Sequence, residues 1–379
     1  MINRLIDNIN PFIVMEILEK ATEMEKRGID VIHLEVGEPD FSLPEKIIEA
    51  SDKALRMGHT HYTHSLGDIK LRETIARHYL KQYGVDVQPS NIIITSGSSP
   101  AILLSLSAMI EPGDEVIVSN PGYACYPNFI KYLHGKVIDV PVYAGTGFQY
   151  APDEIAKRIT SSTKAIMINS PMNPTGNLLS PEIMKEIADL EPTIISDEIY
   201  HGLVYEGKPH SILEFNQNAI VVSGFSKAYA MTGLRLGYCI LPDKLVRPVQ
   251  KLQQNLFICA SSVAQQCGIT ALTECEKELS TMKDTYNKRR RFMISRLKQL
   301  GFEIPVVPTG AFYIFVSSSH LSSDSYKLAF DILEKAHVGV TPGIDFGTNG
   351  EGFLRFSYAN SIENIDEGLS RLEKYIHSL

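Results

Sequence analysis

The sequence predicts an α/β protein with a large, mostly parallel sheet sandwiched by helices and a smaller α+β domain beside it. Three observations support this prediction. Short apolar runs alternate with helical patterns through most of the chain, which is typical of parallel sheets. Polar residues able to carry chemistry follow directly after several of these runs. Near residue 280 the pattern changes to one long charged helix, followed by short strands and two further helices.

Composition excludes several classes of protein. With 379 residues, 44% hydrophobic and 21% charged, the chain is expected to form a globular protein of two or three domains. Its net charge of -8 argues against general affinity for nucleic acid or anionic membranes. No apolar run reaches the ~18 residues of a membrane span, and no signal-peptide core follows the N-terminus. Five cysteines without metal spacing favour free thiols and a cytoplasmic location.

The first part of the chain alternates helix and strand. Apolar residues at helical spacing predict a helix over 11–26, a short strand over 31–36 and a helix over 45–57. The polar connection 58–67 contains three histidines. We interpret it as a solvated loop rather than a metal site, because no carboxylate or cysteine cluster accompanies the histidines.

A possible anion site follows the next strand. The patterns predict a helix over 71–83, a strand over 91–95 and an apolar helix over 101–110. Between the last two lies Ser96-Gly97-Ser98-Ser99-Pro100, with proline at a favourable first helical position. Such a turn leaves backbone N–H groups free to bind an anion, although an ordinary N-cap fits the same residues equally well.

The most informative polar residues each follow a predicted strand. These strands cover residues 115–119, 136–142, 164–169, 193–196 and 219–222. Because ligands of open α/β sheets bind at the carboxyl ends of the strands, we interpret the residues there as one site. Lys227 follows the last strand, and Arg235 comes eight residues later. A partly desolvated lysine suits an aldehyde and an arginine suits a phosphate, which together fit pyridoxal phosphate.

The C-terminal part predicts the smaller domain. Residues 277–300 form a charged amphipathic helix with Arg289-Arg290-Arg291, which we interpret as a solvated face rather than a nucleic-acid patch. Strands are predicted over 302–306, 311–316, 339–341 and 353–359, and helices over 325–336 and 362–376. We expect residues 46–284 to form the large domain, and residues 1–45 with 285–379 to form the small one.

Several motifs in one order carry a resemblance to a known family. They are Asn173-Pro174-x-Gly176, Asp197-x-x-Tyr200, Ser226-Lys227, Arg235, and Arg355 within an apolar strand. In this order the chain resembles the class I/II aminotransferases, the aspartate aminotransferase superfamily, over roughly residues 10–375. The resemblance implies the PLP-dependent transferase fold type I.

The resemblance also implies roles around the cofactor ring. Lys227 would hold pyridoxal phosphate covalently and, once released, move the substrate's Cα proton. Asp197 would keep the pyridine nitrogen protonated, so that the ring withdraws electrons. Asn173 and Tyr200 would hydrogen-bond the phenolic oxygen, and Tyr123 would stack on the ring.

Further residues are implied for the cofactor's phosphate. They are Gly97, Ser98, Ser99, Ser226 and Arg235. Three residues before the lysine, many members have a serine, whereas this chain has Gly224. Tyr62 matches a tyrosine that reaches the phosphate from the neighbouring subunit. The resemblance therefore implies a homodimer with shared active sites.

For the substrate, Arg355 would bind the α-carboxylate with two parallel hydrogen bonds. Gly37 matches a position whose backbone meets the same carboxylate, and Ile13 with Val14 would lie near the entrance. The implied activity is a ping-pong exchange of an amino group between an L-amino acid and a 2-oxo acid. A PLP-dependent C–S β-lyase of the cystathionine type is the alternative on the same scaffold.

The expected substrate follows from the absence, in this sequence, of the cations that bind a second carboxylate in related enzymes. Some aspartate-specific members carry a lysine where this chain has Ser99, and others use an arginine near the segment 257–262, which has none. An uncompensated distal carboxylate costs several kcal/mol when desolvated. We therefore expect neutral, apolar or aromatic donors, and an aspartate aminotransferase proper only if a cation comes from another position.

Overall fold

The structure, a computed structural model, describes residues 4–379. Its strands are β1 Ile32–His33, β2 Ile92–Thr95, β3 Glu115–Asn120, β4 Lys136–Pro141, β5 Thr163–Asn169, β6 Thr193–Asp197, β7 Ile220–Gly224, β8 Gly237–Ile240, β9 Tyr313–Ser317, β10 Val338–Gly339, β11 Thr341–Pro342 and β12 Phe353–Ser357. Its α-helices are α1 Ile13–Lys26, α2 Glu45–Arg56, α3 Ile69–Tyr83, α4 Ser98–Ser107, α5 Tyr126–Tyr132, α6 Pro152–Ala156, α7 Pro181–Ala188, α8 Asp243–Leu256, α9 Ser262–Glu274, α10 Glu276–Gln299, α11 Ser325–Ala336 and α12 Ile362–His377.

A seven-stranded sheet forms the centre of the larger part. Its strand order is β2-β8-β7-β6-β5-β3-β4, and β8 alone runs antiparallel to its neighbours. The strands β2, β6 and β7 are almost entirely buried, as expected for a sheet covered on both faces. The α/β class with a mostly parallel sheet is therefore confirmed. Two apolar clusters fill its two faces.

The smaller part combines both ends of the chain. A three-stranded antiparallel sheet has the order β11-β12-β9, and β1 pairs in parallel with β10. One hydrophobic cluster joins Ile17 of α1 and Leu34 with Met293, Leu333 and Leu369 of the C-terminal helices. Residue 284, where we expect the domains to divide, lies inside the continuous helix α10.

Two expectations about the C-terminal part are wrong. Residues 302–306 form no strand; Glu303 makes a single isolated bridge to Ser317. The basic run of α10 is not a solvated face, because Arg289 and Arg290 are buried and only Arg291 is exposed. Arg289 pairs with Asp40 at 2.7 Å, and Arg290 with Glu206. These arginines tie α10 to other segments of the chain.

Five elements were not predicted from the sequence patterns. They are α5, α7, β8, α8 and α9. Helix α9 is packed over a wide arc of its surface, so its residues show little amphipathic periodicity. Helix α8 contains Pro248, which obscures a helical pattern. Within residues 4–379, no helix is both long and apolar enough to cross a membrane.

Candidate active site

A cavity of about 310 Å³ opens at the carboxyl ends of β5, β6 and β7. The loop after β1, the start of α4 and residues of β9 and β12 complete its lining. Open α/β sheets place ligands at this edge because the loops that leave parallel strands converge there. The polar residues that follow separate strands in the sequence thus meet in one place.

Lys227, three residues after β7, is the buried amine of this cavity. Its Nζ donates a hydrogen bond of 2.6 Å to the carbonyl of Gly37. Burial lowers the pKa of the lysine to about 8; the charge of Glu38 opposes this effect, and Arg235 and Arg355 add to it. A neutral amine is therefore accessible near neutral pH, as a nucleophile or a base requires.

Asp197, the last residue of β6, is the buried carboxylate. Tyr126 donates to its Oδ2 at 2.7 Å, and the backbone N–H of Ile199 donates to its Oδ1 at 3.2 Å. Asn169, at the end of β5, donates to the Asp197 carbonyl at 2.9 Å. Burial raises the pKa of Asp197 to about 6, against these hydrogen bonds to the side chain. The carboxylate is thus fixed in direction and poised to pair with a buried cation.

Arg355 lies in the middle of β12 and is almost fully buried. Its Nη1 donates to Asn173 Oδ1 at 2.9 Å, and its Nη2 donates to the Glu35 carbonyl at 2.6 Å and to Thr341 Oγ1 at 3.1 Å. Its Nε has no hydrogen-bond partner among the described residues. The guanidinium lines the cavity and has no carboxylate partner within the described part of the chain, which is the arrangement an anionic ligand would complete.

Two tyrosines connect these groups. Tyr200 and Tyr313 share a hydrogen bond of 2.9 Å between their hydroxyls. The ring of Tyr313 also lies beneath the Arg355 guanidinium, 4.2 Å from centroid to Cζ. A side chain at position 37 would place its Cβ 2.1 Å from the Tyr313 hydroxyl, so only glycine fits there.

The start of α4 and Arg235 form an anion cradle. Gly97 has a φ of +109°, and a Cβ there would lie 2.5 Å from Arg235 Nη2. Ser98 and Ser99 begin the helix and line the cavity with Arg235. Arg235 donates to the Thr232 carbonyl at 3.0 Å and forms no ion pair within residues 4–379. Free N–H groups and an unpaired guanidinium suit a phosphate.

The structure brings most of the expected residues together, but Gly97, Ile13 and Tyr62 do not line the cavity; Gly97 lies beside Arg235, which does. Tyr123 and Ser226 line the cavity, and Tyr123 contacts Tyr126 edge to face at 5.1 Å. Ile13 lines a neighbouring cavity, while Val14 lines the main one. Tyr62 is 79% exposed and does not line the cavity of its own chain.

Several residues of the site had not been expected. They are Tyr126, Asn169, Tyr313 and Glu38. Glu38 lines the cavity and accepts a hydrogen bond from Thr232. Asn169 and Glu38 each end or follow a predicted strand, so their position was a usable signal. Tyr313 sits inside an apolar strand, and nothing in its local sequence separates it from a core tyrosine.

The residues present fit pyridoxal phosphate. A desolvated amine at Lys227 suits its aldehyde, a buried carboxylate at Asp197 suits its pyridine nitrogen, and the cradle at Gly97 and Arg235 suits its phosphate. The aromatic side chain of Tyr123 lines the same space. Fold and cavity together define the class, a pyridoxal-phosphate-dependent enzyme built on a mostly parallel sheet.

Comparison with known proteins identifies the family. The family described as aminotransferase class I and II matches residues 29–372, and the chain belongs to it. A Methanocaldococcus jannaschii protein named (5-formylfuran-3-yl)methyl phosphate transaminase is 43% identical over 381 residues, covering 100% of both chains. The aspartate aminotransferase of Pyrococcus horikoshii is 39% identical over 370 residues, covering 95% of this chain and 93% of its own.

Solved structures agree with this assignment. The aspartate aminotransferase of Thermus thermophilus, solved with maleate, superposes with a TM-score of 0.95 at 34% identity, covering 99% of both chains. The chain is thus a pyridoxal-phosphate-dependent aminotransferase. The relatives do not favour the alternative of a C–S lyase.

Proposed function

We propose that this aminotransferase accepts neutral L-amino acids as donors and binds them through Arg355. The cationic side chains that line the cavity, among the described residues, are Lys227, Arg235 and Arg355. We assign Lys227 and Arg235 to the cofactor, so Arg355 remains for the substrate. This observation carries the proposal: one free guanidinium matches one α-carboxylate.

The cavity residues divide the work of the reaction. When bound, pyridoxal phosphate supplies the aldehyde that takes up the amino group and the ring that withdraws electrons from the substrate's Cα. Arg355 orients the substrate by its α-carboxylate, which fixes the direction of the Cα–H bond. The amine of Lys227 accepts the Cα proton and returns it. Asp197 would hold a proton on the pyridine nitrogen, and Asn173 and Tyr200 would donate hydrogen bonds to the phenolic oxygen.

A second carboxylate on the donor would meet no further cation among the described residues that line the cavity. Ser99, at the position where some aspartate-specific members carry a lysine, is uncharged. Glu38 adds a carboxylate to the cavity. Desolvating an unpaired carboxylate costs several kcal/mol. Alanine and phenylalanine should therefore be better donors than aspartate. Because several relatives are aspartate aminotransferases, aspartate is the donor against which the proposal has to be tested.

We propose two kinds of acceptor. One is a 2-oxo acid, and the other is a phosphorylated furan aldehyde, the kind of compound in the name of the Methanocaldococcus jannaschii relative. Support comes from the 43% identity, which extends over the full length of both chains. A phosphate-bearing furan aldehyde has no α-carboxylate, but its phosphate is an anion that the Arg355 guanidinium can bind in place of a carboxylate.

We further propose a homodimer with shared active sites and a cytoplasmic location. The exposed Tyr62 supports the first, because a tyrosine that lies outside its own cavity is available to that of a second subunit. The five cysteines support the second, since the structure holds all of them as free thiols, as a reducing compartment would.

Steady-state kinetics of the holoenzyme test the proposal. Donors are alanine, phenylalanine, aspartate and cystathionine, and acceptors are 2-oxoglutarate and (5-formylfuran-3-yl)methyl phosphate. Arg355→Lys, which loses the planar fork, should lower kcat/KM for every amino acid by about 100-fold, or roughly 3 kcal/mol. The exposed Arg291→Lys is the matched control and should change nothing. An unchanged kcat/KM in Arg355→Lys would refute the role of this residue.

A further inference from the structure

Glu35, whose main-chain carbonyl accepts a hydrogen bond from Arg355, carries a buried carboxylate. Glu35 is fully buried, two residues after β1, and its Oε2 has no hydrogen-bond partner among the described residues. Its Oε1 lies 2.6 Å from Nδ1 of His33. A buried carboxylate is costly unless it is paired, so the histidine is required to compensate its charge. The site chemistry described above uses neither side chain.

His33 carries the compensating charge. Its hydrogen bond to Glu35 is the main cause that raises its pKa to about 9, against the effect of burial. Its other ring nitrogen lies 3.2 Å from Glu25 Oε1 on α1. Within residues 4–379, Glu25 and Glu35 are the acidic side chains that reach this ring. At neutral pH both ring nitrogens therefore carry protons and donate to carboxylates.

The main chain of the same glutamate holds Arg355. The carbonyl oxygen of Glu35 accepts from Arg355 Nη2 at 2.6 Å and from Thr341 Oγ1 at 3.1 Å. These three groups form a closed triangle, since Nη2 also donates to Thr341 at 3.1 Å. The direction of one carbonyl thus determines where one edge of the guanidinium points.

The position of the Glu35 side chain is fixed from the opposite side. A Cβ at Gly339 of β10 would lie 2.1 Å from Glu35 Oε2, so the carboxylate fits only because residue 339 is glycine. His33 pairs with Gly339 in the parallel register of β1 and β10. The carboxylate is therefore held between a strand backbone and a charged imidazole, and has little freedom to turn.

We propose that the His33–Glu35 ion pair is a positioning device for Arg355, which keeps the Glu35 carbonyl aimed at the guanidinium and so sets the affinity for the substrate's carboxylate. Neither His33 nor Glu35 lines the cavity, so both would act through Arg355. The inference rests on the proposed function in one respect, namely that Arg355 binds the substrate's carboxylate.

The test uses holoenzyme variants in which one charged side chain is replaced by an uncharged one. His33→Asn keeps a donor near the position of Nδ1 but removes the charge, and Glu35→Gln is the neutral isostere of the carboxylate. Each should raise the KM for alanine about tenfold while kcat changes less than about twofold, which corresponds to loss of binding alone. Glu25→Gln is the matched control, because it touches His33 from the solvent side without contacting Glu35; its KM should stay within about twofold of wild type.

Two further readouts separate positioning from general destabilisation. In wild type the KM should rise above about pH 9, where His33 loses its proton; in His33→Asn this rise should be absent, because the charge is already gone. In the double variant with Arg355→Lys, His33→Asn should cause little further change. The visible absorbance of the bound cofactor should be the same in wild type, His33→Asn and Glu35→Gln.

The outcomes are distinguishable. If Arg355→Lys raises KM but His33→Asn only lowers the melting temperature, the ion pair is structural and the inference is wrong. If Arg355→Lys leaves both KM and kcat/KM unchanged, the proposed function fails instead. Should Glu35→Gln not fold, His33→Asn decides, because its side chain is 28% exposed and opens no large cavity.

Discussion

At the scale of single residues, the cavity is governed by the desolvation of Lys227 and Asp197. Burial moves the two pKa values toward each other, to about 8 for the lysine and about 6 for the carboxyl. Each group is therefore less strongly held in its charged form than it would be in water. A lysine proposed to accept and return a proton needs a weaker preference for its charged form. Burial of Lys227 supplies this weaker preference.

The lowered pKa of Lys227 predicts how the stability of the cofactor-free protein depends on pH. The unfolded chain keeps the lysine proton up to about pH 10.5, whereas the folded protein releases it near 8. Between these values unfolding takes up a proton, so stability rises with pH. The difference corresponds to about 3 kcal/mol. Lys227→Met should lack this rise. At pH 7 the variant should be more stable than wild type, and this difference in the free energy of unfolding should shrink as the pH approaches 10.

Urea denaturation at pH 7 and pH 9.5 measures this effect. Lys81→Met, at an exposed position, is the control and should leave the pH dependence of wild type intact. A constant free-energy difference between wild type and Lys227→Met across this range would show that the amine is not desolvated.

Much of the site could be predicted from residues in recognisable motifs. Lys227, Asp197, Asn173, Arg235 and Arg355 all line the cavity, as their order in the chain indicated. Tyr313 and Tyr126 could not be predicted in the same way. Their function depends on what lies opposite them, Arg355 in one case and Asp197 in the other, and those contacts join residues far apart in sequence.

At the scale of elements, the turn into α4 carries the anion cradle. Gly97→Ala would place a Cβ 2.5 Å from Arg235 Nη2 at a φ of +109°. Either the guanidinium or the turn must move, so we expect the affinity for pyridoxal phosphate to fall by at least tenfold. Titration of the cofactor-free protein, followed by absorbance, measures this change. Gly113→Ala is the matched control, because it has a φ of +91° with nothing within 4 Å of its Cβ. Equal affinities in both variants would contradict the cradle.

Helix α10 anchors the loop that contains Gly37 and Glu38. Arg289 bonds Asp40 at 2.7 Å and lies 5.2 Å from the centroid of the Phe41 ring. Arg289→Ala removes the charged partner of Asp40 and the contact with the Phe41 ring, and we expect a loss of about 1 to 3 kcal/mol in the free energy of unfolding. Arg291→Ala, on the exposed face of the same helix, should cost less than about 0.5 kcal/mol. Chemical denaturation of both variants tests this, and equal losses would refute the anchoring role.

The elements themselves were predictable where periodicity was strong. The strands β3, β5, β6 and β7 and the helices α1, α11 and α12 follow clear apolar patterns. Helix α9 does not, because it is packed over much of its surface and a helix of this kind shows no polar stripe. The arginines of α10 were misinterpreted because charge alone does not reveal a buried ion pair.

At the scale of the whole molecule, the cavity is lined by residues from both the larger and the smaller part of the protein. The large sheet contributes Lys227 and Asp197, and the smaller sheet contributes Arg355 and Tyr313. The residues that we propose for substrate and for cofactor binding thus come from different parts of the chain. The division into residues 46–284, and residues 1–45 with 285–379, stays a prediction.

The proposed shared site predicts complementation between two impaired variants. Lys227→Ala removes the amine from its own cavity, and Tyr62→Ala removes the hydroxyl that we expect to reach the partner's cofactor. In a mixed dimer, one site would retain both residues. After refolding together, the mixture should regain up to about a quarter of wild-type activity, since at most half of the dimers are mixed and each has one complete site.

Activity assays and sedimentation of the mixture provide the measurement. Each variant refolded alone is the control. Activity no greater than the mean of the two separate preparations would contradict a site completed by Tyr62 of a second subunit.

The neutral amino donor proposed for this aminotransferase can be tested in a half-reaction. The absorbance of the bound cofactor is followed while the holoenzyme is titrated with single amino acids, without an acceptor. Alanine or phenylalanine should convert the cofactor from its aldehyde form to its amine form at least tenfold more efficiently than aspartate. Conversion that is most efficient with aspartate would contradict it and would require a second cation in the cavity.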